Sequence, residues 1–257
     1  MSTERNTVPK LGFILPDDPI ASEMHRLDSW LAARGRDDVT ALTLLSRIEG
    51  GHLEDILFKA GDAEVIGPIA GELAAQGCDA IVWACTSGSF IGGLSWAQAQ
   101  ASALAEIAAR PATSTSLAFI AALNALQLDR VHLLGAYPEP VTQAFKACLG
   151  SAGISVERWQ ALDSPDGPSS FRLSLVDEVD RFAGSLPARG DEPILIPDTA
   201  INSLDVVEDL ERRTGRTVLT ANQVSLWHGL SLLGVGTAIP GAGRLLAGET
   251  RNTVSST

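Results

Sequence analysis

Apolar residues along this chain fall into two patterns. Short, mostly apolar runs alternate with longer stretches where apolar positions recur every three or four. The first pattern predicts strands at Leu11 to Leu15, Val39 to Leu45, Ala80 to Ala84, Val131 to Gly135, Ser155 to Trp159, Pro193 to Ile196 and Val218 to Thr220. The second predicts helices between them. Ser22 to Arg34 carries Met24, Leu27, Trp30 and Leu31 on one face, with Ser22 as cap and Gly35 as stop, and Ala63 to Gln76 ends before Gly77. Further helices fit Leu94 to Arg110, Ser116 to Leu126, Pro140 to Ala152, Ser170 to Gly184, Ser203 to Arg213 and Asn222 to Leu233, while the polar stretch Asp163 to Ser169 reads as a surface loop.

Strand and helix in regular alternation predict an α/β fold with parallel sheets, right-handed crossovers and a ligand crevice at the carboxyl ends of the strands. The stretch Phe13-Ile14-Leu15-Pro16-Asp17-Asp18-Pro19-Ile20 is echoed by Leu134-Gly135-Ala136-Tyr137-Pro138-Glu139-Pro140-Val141: a strand, an acidic Pro turn, then a helix. Two duplicated halves are therefore expected, each supplying an early loop, at Pro16 or Tyr137, and a later one, at Cys85 or Asp198. Residues 1–114 with 222–257 would form the first half, carrying Cys85. Residues 115–221 would form the second, carrying Tyr137 and Asp198.

The later loops hold the candidate chemistry. Ala80-Ile81-Val82-Trp83-Ala84 runs straight into Cys85-Thr86-Ser87-Gly88, and Pro193-Ile194-Leu195-Ile196-Pro197 runs into Asp198-Thr199. A thiol between a strand end and a helix start meets unpaired amides and the positive end of a helix dipole, both of which favour thiolate. Thr86, Ser87 and Gly88 offer hydroxyls and amides of the kind that hold a carboxylate, although capping uses the same geometry. Asp198 is a candidate general acid/base, or an ordinary cap. Tyr137, the single tyrosine, is a candidate donor to a substrate carboxylate, with a core role as its alternative. Thr199, Pro16 and Asp17 complete the candidate binding set.

Composition narrows the classes. A chain of 257 residues that is 45% hydrophobic and 5% aromatic suits a globular α/β protein, and a net charge of −12 argues against a nucleic-acid or anionic-membrane surface. Neither a bilayer-spanning run nor a signal peptide is read here, so a cytoplasmic protein with reduced thiols is expected, with no membrane partner. Cys78, Cys85 and Cys148 form no CxxC pair, so neither a disulfide framework nor a zinc site is indicated, and Cys78 and Cys148 read as small buried hydrophobes. Phosphate-loop, HExxH and GxSxG patterns are lacking. His25, His52, His132 and His228 show no ligand spacing and are read as structural or solvent-exposed.

The run at Cys85, the Tyr137 turn, the Asp198-Thr199 run with Ser203-Leu204-Asp205-Val206, and Asn222-Gln223 through Trp227-His228 together resemble the aspartate/glutamate racemase superfamily. Within it the likeness is to maleate cis/trans isomerases and arylmalonate decarboxylases, a branch that includes ectoine-utilisation proteins. The resemblance spans Leu11 to about Gly236. It implies two flavodoxin-like (Rossmann-like) halves related by a pseudo-twofold axis, with a cofactor-independent site between them. It implies that Cys85 attacks the alkene of a small dicarboxylate or moves a proton at an α-carbon, and that Thr86, Ser87 and Tyr137 hold carboxylate oxygens.

Three departures accompany the likeness. Asp198 stands where the family commonly has a second cysteine, the single cysteine of the decarboxylases lies in the other half, and Asp17-Asp18-Pro19 replaces an asparagine of the isomerases. The expected function is an isomerase or racemase of a small carboxylate or amino-acid derivative, working as a homo-oligomer, with Cys85 and Asp198 as its acid/base pair. Decarboxylation of a malonate-like acid and a non-catalytic carboxylate-binding module are the alternatives.

Overall fold

Parallel strands need helical crossovers, and here these cover both faces of each sheet, so the central strands are buried along almost their whole length, apart from Lys10 and Arg130 at their starts. The computed structural model describes residues 8–16, 22–47, 51–188 and 190–248. Its strands are β1 (Lys10–Leu15), β2 (Thr40–Leu45), β3 (Ala80–Trp83), β4 (Ala112–Ser114), β5 (Arg130–Gly135), β6 (Ser155–Ala161), β7 (Ile194–Ile196) and β8 (Val218–Thr220). They form two four-stranded sheets ordered β2-β1-β3-β4 and β6-β5-β7-β8. All described pairings are parallel, so the sheets share one strand order, as a duplicated layout requires.

Strand alternation decides which way each side chain faces. On β1, Leu11, Phe13 and Leu15 enter one core with Ala80, Val82 and Ala84, while Ile14 joins Ile81, Trp83 and Cys85 on the other face. On β5, Val131 and Leu133 face a core shared with Phe90, Phe119 and Phe145, and Leu134 and Ala136 face the opposite one. Phe90 comes from the short helix after Cys85 and stacks on Phe145 at 4.7 Å between ring centroids, so one aromatic cluster joins the two sheets' layers. Each buried ring contributes about 2 kcal/mol from water exclusion.

Several predicted elements are redrawn. A fourth strand in the first sheet, β4, is only three residues long and sits between Pro111 and the next helix, where no apolar run marks it. The single helix expected from Ser170 to Gly184 is two, Gly167–Phe171 and Leu175–Ser185. Asp166 caps the first by accepting from the Ser169 amide at 2.8 Å, which also shortens the expected Asp163 to Ser169 loop. The helix expected from Ser203 begins at Val207, and the Ser203 and Leu204 amides ahead of it bond to the Glu23 carboxylate. Glu54–Ala60, Thr86–Phe90 and Gly243–Ala247 are further short helices. Among the described residues no helix is long and apolar enough to cross a membrane.

Candidate active site at the carboxyl ends of the sheets

β3 stops at Trp83, and Cys85 follows in extended conformation as the N-cap of Thr86–Phe90. Its Sγ accepts the Gly88 amide at 3.4 Å and lies 3.9 Å from the Ser87 hydroxyl. A Cβ at position 88 would sit 3.2 Å from that sulfur, so glycine lets the amide approach. An amide aimed at sulfur favours the anion. Cys85 is 6% exposed, and all three cysteines are free of disulfides. Cys78 and Cys148 are buried as expected, and burial pushes both thiols up to about 11, which makes them inert at neutral pH.

Asp198 reaches the same place from the other sheet. It follows β7 and Pro197 with φ at +109°, a left-handed conformation that costs a non-glycine residue energy. Two hydrogen bonds interlock the loops: the Asp198 amide donates to Thr86 Oγ1 at 3.2 Å, and the Thr199 hydroxyl donates to the Ala84 carbonyl at 3.0 Å. The Thr199 hydroxyl is thus a brace between the loops. Asp198 Oδ1 accepts the Ala200 amide at 3.0 Å, whereas Oδ2 is buried with no hydrogen-bond partner among the described residues.

Tyr137, just past β5, is fully buried, and its phenol makes no hydrogen bond of ordinary geometry to the described residues, although the Thr86 and Ser87 hydroxyls lie near it. Burial raises its pKa well above 10, the Asp198 charge adds to this, the Thr86 hydroxyl opposes it, Cys85 raises it further and the Ser87 hydroxyl opposes it in turn. The phenol is therefore a neutral donor surrounded by Asp198, Thr86, Cys85 and Ser87. A buried unpaired hydroxyl costs about 1–3 kcal/mol, a cost that an incoming carboxylate oxygen removes.

Sequence reasoning overlooked His52. It is buried rather than solvent-exposed, and its Nε2 lies 3.6 Å from Asp198 Oδ2. Nδ1 is 2.7 Å from the Ser164 carbonyl, the backbone amide donates to the Pro165 carbonyl at 2.9 Å, and the ring meets Tyr137 edge-on at 4.7 Å. Its position in the Gly51-His52 loop after β2 was the available signal, since loops after strands line the crevice. The other histidines fit the structural reading: His25 is exposed, His132 buried and His228 half-buried.

A second overlooked group holds the Asp198 loop from behind. The buried Glu23 carboxylate accepts the Ser203 amide at 2.8 Å, the Leu204 amide at 3.0 Å and the Asn222 side-chain amide at 2.7 Å. Burial raises its pKa above the ordinary 4.5, against the lowering effect of these donors. Asn222 also donates to the Thr199 and Ile201 carbonyls, at 3.3 and 3.1 Å. Pro16 lies one residue beyond β1, at the carboxyl edge of the first sheet, and Asp17 falls outside the described residues.

The structure thus brings Cys85, Thr86, Ser87, Tyr137, Asp198 and Thr199 together, with His52 added. A family model described as arylmalonate decarboxylase matches residues 51–246. The chain is 30% identical to a maleate isomerase of Nocardia farcinica over 190 residues, covering 72% of this chain and 75% of the relative. It is 29% identical to an arylmalonate decarboxylase of Bordetella bronchiseptica over 178 residues, covering 68% and 74% of the two chains. In fold it is similar to a mutant maleate cis-trans isomerase of Nocardia farcinica solved with a covalently bound succinylcysteine intermediate. That likeness has a TM-score of 0.83 at 24% identity and covers 95% of this chain and 100% of the other.

Proposed function

The chain belongs to the arylmalonate decarboxylase family, and from that premise we propose that it is a cofactor-independent isomerase or racemase of a small carboxylate. Cys85 acts as nucleophile or base and Asp198 as the proton partner. The observation that carries this reading is the interlock of the two strand-end loops, which sets Cys85 and Asp198 around the single buried phenol of Tyr137. The succinylcysteine held by the similar isomerase supports thiol addition as one form of the reaction.

In that form the Cys85 thiolate bonds to one alkene carbon. The π pair moves to the neighbouring carbon, where the carboxylate delocalises it, and the Asp198 acid supplies the proton that leaves a rotatable single bond; after rotation Asp198 takes a proton back from that carbon, the alkene re-forms and the C–S bond breaks to release the Cys85 thiolate. In the racemising form the thiolate removes the α-proton and Asp198 returns one to the opposite face. In both, Tyr137, Thr86 and Ser87 hold the carboxylate on which negative charge develops, which is where preorganised donors act most strongly.

A second reading, decarboxylation of a malonate-like acid, is favoured by the family model itself. Here loss of carbon dioxide leaves the same carboxylate-stabilised carbanion, which Cys85 or Asp198 protonates. The test is turnover of maleate and of phenylmalonate in deuterium oxide. Isomerisation or deuterium exchange without release of carbon dioxide supports the first reading, and release supports the second. Unchanged turnover by Cys85→Ala rejects both.

A further inference from the structure

We propose that His52 passes protons between Asp198 and a solvent-facing groove, so that Asp198 and His52 work as one acid/base unit. This rests on the reading of Asp198 as the proton partner of Cys85. With Nδ1 2.7 Å from the Ser164 carbonyl, an acceptor only, the ring must carry its proton on Nδ1. Nε2 of the neutral ring is then an acceptor, and it faces Asp198 Oδ2 at 3.6 Å, the carboxylate oxygen without a hydrogen-bond partner among the described residues. One proton therefore has two places to sit: as an acid O–H directed at Nε2, or as an Nε2–H directed at a carboxylate. Transfer requires the pair to close by about 0.8 Å to hydrogen-bonding distance, a tightening of the sort that ligand-bound sites undergo.

His52 is also the residue that connects this buried pair to the outside. It lines a groove of about 510 Å³ with Leu53, Glu54, Pro138, Val141 and Gln143, and Leu53 is 63% exposed. The titratable groups that face the ring are Asp198, Tyr137 behind its edge, Glu54 on the groove, and Asp166. The Asp166 carboxyl is held low mainly by Ser169 and in smaller part by Arg172 and His52. The ring is fixed by the Ser164 and Pro165 carbonyls, so it can change protonation without changing place.

The cycle balances without any redox change. The Asp198 O–H bond breaks as a C–H bond forms on the substrate carbanion. Water or buffer in the groove then protonates Nε2 of the neutral ring, and that Nε2–H bond breaks as the Asp198 O–H bond re-forms. His52 is thus a relay and positioning residue, and the substrate never touches it.

The test uses the full chain with ¹⁵N-labelled histidine, in wild type, Asp198→Asn and His52→Gln. His52→Gln identifies the His52 ring signals. In wild type these should report the Nδ1–H tautomer, and Asp198→Asn should change the Nε2 signal while the Nδ1–H stays in place. An Nε2–H tautomer, or an Nε2 signal unmoved by Asp198→Asn, overturns the relay. With maleate or phenylmalonate as probe, His52→Gln should slow turnover about tenfold or more, and added imidazole should restore it as it fills the groove. Alkylation of Cys85 by iodoacetamide should keep its wild-type rate. Wild-type turnover by His52→Gln, or a slowed variant that imidazole does not rescue, also overturns it. If wild type turns over neither probe, the proposed function fails on these substrates, and the ring signals still decide the relay.

Discussion

The backbone amide of Asp198 donates to the hydroxyl of Thr86 across 112 residues of sequence, at 3.2 Å. This bond, with that of Thr199 to Ala84, makes the geometry around Cys85 a property of both sheets at once. Thr86→Val removes the acceptor and leaves a buried N–H unpaired, which should cost about 1–3 kcal/mol. Thr86→Ser keeps the oxygen and should cost clearly less. Urea denaturation of the two variants measures the difference, and equal losses would mean that the bond is not what Thr86 supplies.

Tyr137→Phe separates stability from function. The phenol is buried and makes no well-formed hydrogen bond to the described residues, so its removal should leave thermal stability unchanged or raise it by about 1 kcal/mol. Turnover should fall at least about tenfold, since one donor to the substrate carboxylate is lost. A variant that is destabilised but fully active would place Tyr137 among the core residues.

Asp198 is held at φ +109°, so its replacements should rank by backbone tolerance. Asp198→Gly removes strain of about 1–3 kcal/mol, but loses the Ala200 bond and the lower chain entropy of a non-glycine residue. These effects nearly cancel, so stability within about 1 kcal/mol of wild type is expected, with activity abolished. Asp198→Val, β-branched in the same conformation, should lose more than about 2 kcal/mol. Calorimetric unfolding of both variants tests the order.

Glu23 predicts a pH dependence. Its folded pKa is raised by burial, so the protonated form is favoured in the folded state. The stability this contributes is complete below the ordinary value of 4.5 and is lost as pH rises through the raised folded value. Glu23→Gln keeps an acceptor for the Ser203 and Leu204 amides without a titrating charge. The stability of wild type relative to this variant should therefore decline from pH 4 upward and level off above the raised value. Paired urea denaturation across that range checks the sign, and a difference that is flat or rises with pH contradicts it.

Much of this was legible in the sequence because it is local. The strand ends at Cys85 and Asp198, the Tyr137 turn and the duplicated strand order follow from runs of a few residues and their spacing. What escaped depends on contacts between distant segments. His52 meets Ser164 across 112 residues and Glu23 meets Ser203 across 180, and neither pairing leaves a local pattern. Strand β4 was missed for the opposite reason: at three residues it has too little sequence to show a period.

The central claim is that Cys85 and Asp198 address one substrate carbon from opposite sides. A crystal structure of the protein with bound malonate tests it most directly. The account predicts one malonate carboxylate on the Tyr137, Thr86 and Ser87 hydroxyls, with Cys85 Sγ and an Asp198 carboxylate oxygen each within about 4 Å of the central carbon on opposite faces. Malonate bound away from Cys85, or with both groups on one face, would contradict it.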